Sequence, residues 1–227
     1  MDIGPLARWY RWLEYVAFGR ALERSRFVHI DRLRQARHVL VLGEGDGRML
    51  RRMLDAAPQA RFDVVEASAE MVTLASARLA PADGRVRFTC ADARSALFDA
   101  DYDAVVTCFF LDCLDEAEAH HLIGRVSRAL VSGGTWLVAE FAVPASGWRR
   151  LHARLWIGTM YYFFGLTTGL RTRALPPIDA LLSASGLRLE ASSAARWGLI
   201  ESCVWRRPAM PQWHTGSDAD GAPEEIL

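Results

Sequence analysis

The sequence predicts an α/β fold, a mostly parallel sheet with helices on both faces, closed by a β-hairpin. Three observations carry this. From His38 onward, short apolar runs alternate with stretches of helical spacing, the order that builds a parallel sheet covered on both sides. The first apolar run ends in Gly43-Glu-Gly-Asp-Gly47 and turns directly into a helical stretch. Near the other end, Leu187–Ser192 and Gly198–Trp205 read as a closing strand pair, which brings the expected strand count to seven.

The elements follow in order. The first thirty-five residues have helical spacing, with Leu6, Trp9, Tyr10, Leu13, Val16 and Ala17 on one face. Arg8, Arg11, Glu14, Arg20 and Arg24 lie opposite, so residues 1–37 read as a helical lid. An arginine-rich helix bearing Trp and Tyr also suits an anionic membrane surface, which makes peripheral contact through residues 1–35 the alternative to packing. Strands are expected at His38–Leu42, Phe62–Val65, Arg85–Thr89, Tyr102–Phe110 and Thr135–Phe141. Helices are expected at Arg48–Ala57, Ser68–Leu79 and Glu116–Leu130, the last stopped by Ser132-Gly-Gly134. These elements and the closing pair make one domain over residues 38–206, interrupted by an aromatic-rich helical insertion at 147–173 and a helix at Pro176–Ser185. Residues 207–227, rich in Pro, Gly, Ser and acidic residues, read as a disordered tail.

Composition removes several function classes. The 27 basic and 27 acidic residues cancel, whereas a duplex-binding surface needs a basic excess, so nucleic acid is not the expected partner. Every basic residue is arginine, which excludes lysine Schiff-base chemistry and the phosphate loop that ends in Lys-Ser or Lys-Thr. Cys90, Cys108, Cys113 and Cys203 form no CxxC pair, so no metal site is expected and buried free thiols are. No basic leader precedes an apolar stretch and no apolar run reaches membrane-spanning length, so the expected location is cytoplasmic. Oligomeric state is not legible.

The chemistry sits at the strand ends. Glycines at alternate positions let the backbone turn sharply and let a ligand press on the main chain. The dinucleotide fingerprint GxGxxG would need a glycine at position 48, where Arg48 stands, so a nicotinamide oxidoreductase is the weaker alternative. Glu66 ends the second strand about twenty residues beyond the loop, where a carboxylate can accept from both ribose hydroxyls. Asp92 ends the third strand, where it could accept from an adenine amino group or cap a following helix.

Together, 'VLVLGEGDG', 'VVEASAEMVTLA', 'CADA', 'YDAVVTCFFLDCL' and 'RALVSGGTWLVAEF' resemble the motifs of class I S-adenosylmethionine (SAM) dependent methyltransferases, particularly the quinone and lipid branch. The resemblance covers residues 38–141 well and the remainder loosely, and it implies a Rossmann-like sheet, SAM as cofactor and a small-molecule or lipid-like acceptor. It implies that Gly43, Glu44, Gly45 and Gly47 form the cofactor loop, that Glu66 with Ala67 holds the ribose, and that Met71 lines the adenine. Asp92 and Ala93 would bind the adenine edge, and Cys108 and Phe109 would follow the fourth strand into the site. 'RWYRWLEYVAFG' is similar to the helix that covers SAM in that branch, making Tyr15, with Tyr10, a candidate for the methionine carboxylate.

One departure stands out: the family commonly has an acid two positions before the first glycine, and here that residue is Val41. Glu44 or Asp46 could supply the missing charge; otherwise the chain is a methyltransferase-like binding protein without catalysis. Beyond the strand ends, Asp112 is the candidate base or acceptor-orienting group, with a helix cap as the competing role. Cys113 and Glu140 lie in the same region, whereas His120 and His121 read as a solvated helix face. Trp148, His152, Tyr161 and Arg171 in the insertion are the candidate substrate wall, an apolar surface with a cationic rim.

Overall fold

A computed structural model of the protein describes residues 21–79, 84–98, 101–144, 146–148, 150, 151, 153, 155 and 175–209. Seven strands form one sheet: β1 (His38–Leu42), β2 (Arg61–Glu66), β3 (Val86–Cys90), β4 (Tyr102–Cys108), β5 (Leu130–Phe141), β6 (Arg188–Ala195) and β7 (Ile200–Arg206). Their order is β3-β2-β1-β4-β5-β7-β6. The pairs β1–β2, β2–β3, β1–β4 and β4–β5 are parallel, while β7 runs antiparallel to both β5 and β6. Dinucleotide-binding sheets have the order 3-2-1-4-5-6; here the last strand inserts beside β5.

Among the described residues five α-helices accompany it: α1 (Ala21–Phe27), α2 (Arg48–Ala56), α3 (Ala69–Leu79), α4 (Glu116–Ala129) and α5 (Ile178–Ala184). The strands alternate between two cores. Leu40, Leu42, Val105, Trp136 and Val138 pack with Leu122, Ile123 and Val126 of α4 and Leu181 and Leu182 of α5. Val39, Val41, Val64, Ala104, Val106 and Leu137 pack with Met49, Leu50, Met53 and Leu54 of α2. The period of two along each strand thus feeds both faces, which is why β1 is buried at four of its five positions. Chain order reverses between β1 and β4, so the crevice beyond their carboxyl ends is where an open α/β sheet receives a ligand.

Three boundaries and one burial assignment differ from the sequence expectation. The first helix does not run to residue 35. It ends at Phe27, because His29 leaves helical geometry and its ring donates to the Ser202 carbonyl at 3.1 Å; Ile30–Leu33 then make one 3-10 turn. Strand β4 stops at Cys108, since Phe109 takes a left-handed backbone (φ 52°) that no strand accommodates. Helix α4 ends at Ala129 rather than at the glycines. Leu130 is already extended and pairs with Tyr102, so Ser132-Gly-Gly134 lies inside β5, at a shift in its register with β4. The thiols are not all buried: Cys90 and Cys113 are exposed residues.

Asp115 caps α4 by accepting from the Glu118 amide while Glu118 returns to the Asp115 amide, a reciprocal box that leaves Asp112 free of capping duty. Asp112 sits instead in the 3-10 turn Leu111–Cys113. The proposed lid residues 1–20, most of the insertion and the tail beyond 209 lie outside the described residues.

Candidate functional site

The site grows from the β1–α2 turn. Gly43, Gly45 and Gly47 all have positive φ (70°, 74° and 83°), which L side chains resist. They face different neighbours. A Cβ on Gly43 would meet the Phe110 ring at 2.6 Å, and one on Gly47 would meet the Ala75 backbone of α3 at 2.9 Å, whereas one on Gly45 would meet nothing within 4 Å. Gly43 and Gly47 therefore serve packing, and Gly45 faces open space.

Glu66 holds this loop. Its Oε2 accepts from the Gly45 amide at 3.1 Å and its Oε1 from the Ser68 amide at 2.9 Å. Ala67 follows as an exposed residue, and Met71 stands in the first turn of α3, where its amide donates to Ser68 Oγ at 3.3 Å. Glu44 turns inward: its Oε1 accepts from the Leu50 amide at 2.8 Å, fastening the start of α2. Its Oε2 is buried with no hydrogen-bond partner, and burial pushes the carboxyl up to about 8. A small recess lies here, lined by Arg26, Val41, Leu42, Gly43, Glu44, Met49, Val106 and Cys108. It sits at the β1–β4 reversal.

Beyond β3, Asp92 carries both a cation and a turn. The Arg94 guanidinium donates to it (Nε to Oδ2, 2.9 Å) and reaches Glu118 on α4, while the Arg94 amide donates to Asp92 Oδ1 at 2.9 Å. These hydrogen bonds hold the Asp92 carboxyl below its ordinary range despite some burial. No helix follows it, so the capping role does not apply; any adenine amino group must share Asp92 with Arg94. Ala93 is buried in the core against α4, so only its backbone is offered to a ligand.

Beyond β4, Phe109 packs against Phe141 with ring centroids 5.0 Å apart, and Arg26 stacks over it at 5.2 Å. Glu140, at the end of β5, accepts from three successive amides: Phe110 (3.2 Å), Leu111 (3.0 Å) and Asp112 (3.4 Å). Both Asp112 and Glu140 are buried, and their carboxyls face each other. Burial raises both above the carboxylate range, and for Glu140 the Asp112 charge adds to it. The Cys113 sulfur turns in to 3.4 Å from Asp112 Oδ1, where burial and the two neighbouring carboxyls push its pKa up. A raised thiol pKa makes Cys113 a weaker nucleophile than a free cysteine. Burial likewise keeps Cys108 protonated.

The structure thus brings Gly43, Glu44 and Cys108 around one recess, and ties Glu66 to Gly45. Trp148 is 62% exposed and packs on Trp197 with centroids 5.7 Å apart. Tyr15, Tyr161 and Arg171 lie outside the described residues, as does the His152 side chain. Arg26 was not anticipated. In the sequence it is one of several arginines in the first helix, and no pattern distinguishes it.

Residues 39–134 match the family model described as a methyltransferase domain. No curated protein matches. Among solved structures, the chain superposes on the mitomycin 7-O-methyltransferase MmcR with a TM-score of 0.67 at 19% identity, covering 90% of this chain and 58% of that one. It superposes on the pyocyanin biosynthetic protein PhzM with a TM-score of 0.64 at 20% identity, covering 85% and 57%. The [4+2]-cyclase SpnF gives 0.63 at 16% identity, covering 84% and 82%. The chain thus spans a little under three fifths of MmcR and PhzM. Among the described residues, no helix is long and apolar enough to cross a membrane. With its sheet order, its antiparallel seventh strand and its glycine turn at the chain reversal, the chain has the Rossmann-like fold of SAM-dependent methyltransferases.

Proposed function

We propose that the protein transfers a methyl group from SAM to a small-molecule or lipid-like acceptor. The observation that carries this reading is the Glu66–Gly45 bond at the chain reversal. It supports a ribose held by Glu66 beside a loop whose middle glycine leaves room for a ligand. Gly43, Glu44 and Gly47 shape that loop, Ala67 and Met71 flank the nucleoside, Asp92 and Ala93 take the adenine edge, and Cys108 and Phe109 floor the reactive end. Tyr15 belongs to the covering helix in this reading. The residues fit the cofactor: Gly45 is open where the nucleoside presses, and the recess retains an unpartnered buried carboxylate oxygen.

When bound, SAM supplies an already activated methyl on a sulfonium. The protein's share is to align the acceptor behind that methyl and keep water out. Glu140 fixes the Phe110–Asp112 turn through three amides, and Asp112 orients the acceptor or takes its proton. Trp148, His152, Tyr161 and Arg171 form the acceptor wall, and residues 1–35 close over the site or rest on a membrane surface.

Calorimetric titration of S-adenosylhomocysteine into wild type and Glu66→Ala tests the reading. Micromolar binding that weakens at least about tenfold in the variant supports it; no binding to wild type ends it. A second reading is a ligand-binding relative without methyl transfer. It is favoured by Val41 in place of the usual acid, and by the likeness of the fold to that of the [4+2]-cyclase SpnF. Acceptor screening with labelled SAM separates the two.

A further inference from the structure

The recess between β1 and β4 presents opposite charges from two elements, each with a buried polar atom left unmatched. Arg26, from the last turn of α1, has its Nε buried without a hydrogen-bond partner; Glu44, from the glycine loop, has its Oε2 in the same condition. Neither atom finds a partner in the rest of the lining, which is Val41, Leu42, Gly43, Met49, Val106 and the protonated Cys108 thiol. Leaving a buried polar atom unmade costs about 1–3 kcal/mol, more for a charged group, so native chains keep few such atoms. Two that line one recess point to a ligand that completes both.

We infer that Arg26 and Glu44 form a clamp for a zwitterionic α-amino acid head group, with the guanidinium taking its carboxylate and Glu44 its ammonium. The inference rests on the SAM reading above and says how this chain holds the methionine end. Val41 carries no charge on the strand, and Glu44 supplies a carboxyl three positions further along, in the loop. The cation comes from outside the sheet. Arg26 lies over the Phe109 ring, which orients the guanidinium plane, and α1 is fastened to β7. There Ser202 Oγ donates to the Ser25 carbonyl at 2.8 Å and the His29 ring donates to the Ser202 carbonyl at 3.1 Å. A planar fork of donors suits a carboxylate, and a carboxylate suits an ammonium. Of the charged groups acting on Glu44, Arg26 favours its ionised form and Asp46 opposes it; Cys108 is neutral. Burial outweighs both and holds Glu44 protonated at neutral pH, and an arriving ammonium drives that proton off.

The test is calorimetric titration of the full chain with three nucleosides: S-adenosylhomocysteine, its decarboxylated analogue, and 5′-methylthioadenosine, which lacks the whole amino acid. Wild type should bind the first at least about thirtyfold more tightly than the last. Arg26→Met should weaken S-adenosylhomocysteine about tenfold or more while leaving the decarboxylated analogue within twofold, roughly. Glu44→Gln should weaken both amine-bearing ligands and abolish proton release, read by comparing buffers of different ionisation enthalpy. Wild type that binds all three alike overturns the clamp and leaves the cofactor reading intact; so does undiminished S-adenosylhomocysteine binding in both variants. Wild type that binds none overturns the clamp and the cofactor reading together. The ligand series on wild type decides the matter even if a variant fails to fold.

Discussion

Glu66 Oε2 accepts the Gly45 amide at 3.1 Å, so the acid at the end of β2 is bonded to the turn at the end of β1. One carboxylate therefore shapes the loop and is also the group proposed to hold the ribose. Glu66→Gln keeps an acceptor for one amide, whereas Glu66→Ala keeps none. The alanine variant should lose more thermal stability than the glutamine variant, by about 1 kcal/mol. Both should weaken S-adenosylhomocysteine binding, because in the amide an NH2 donor replaces one of the two accepting oxygens and the charge is lost. Thermal melts with and without ligand read both effects.

The loop glycines should separate stability from binding. Gly45→Ala puts a side chain at φ 74° into open space, costing about 1–2 kcal/mol of stability through backbone strain. Gly47→Ala adds a contact at 2.9 Å with the Ala75 backbone, so its loss should be larger by about 1–3 kcal/mol. Ligand affinity should fall in the reverse order, with Gly45→Ala the worse, since its Cβ takes ligand space. Equal ligand affinities in the two variants would show that Gly45 does not touch the cofactor.

Glu44 makes the unliganded protein sensitive to pH. Its carboxyl is pushed from 4.5 up to about 8 in the native chain, so between those values the native state holds more protons than the unfolded one. Stability from this group is therefore lost as pH rises through that window. Glu44→Gln retains an acceptor for the Leu50 amide and lacks the titration. Its melting temperature relative to wild type should climb between pH 5 and pH 8, by at least about 3 °C, roughly 1 kcal/mol for a chain of this size. A constant difference across that range would mean that Glu44 is ionised throughout.

Glu140 should prove structural and Asp112 functional. Glu140→Ala leaves three amides of a buried turn without their acceptor and should cost at least about 1–3 kcal/mol of stability. Asp112→Asn keeps a polar group that can hydrogen-bond to Glu140 and should cost little stability, while lowering methyl transfer at saturating SAM. Chemical denaturation and single-turnover assays separate the two. Unchanged turnover in Asp112→Asn would remove it from the acceptor's surroundings.

The sequence by itself determined the layered sheet, because strand-length apolar runs alternating with amphipathic helices have few other ways to bury both faces. It also placed Gly43, Gly45, Gly47, Glu66 and Asp92 at strand ends, and strand ends share one edge in a parallel sheet. Element boundaries were less legible. Leu130 and Ser132-Gly-Gly134 look like the end of a helix, yet pairing with β4 and β7 draws them into β5. What only the tertiary structure decided is which charges meet. Arg26 and Glu44 are separated by a helix end, a turn and a strand, and nothing in their spacing pairs them. They meet because β7 returns beside β5 and fastens α1, through Ser202, over the mouth of the β1–β4 crevice. Local pattern sets an element's type, but a buried charge acquires its partner from packing between distant segments, and that information is spread along the whole chain.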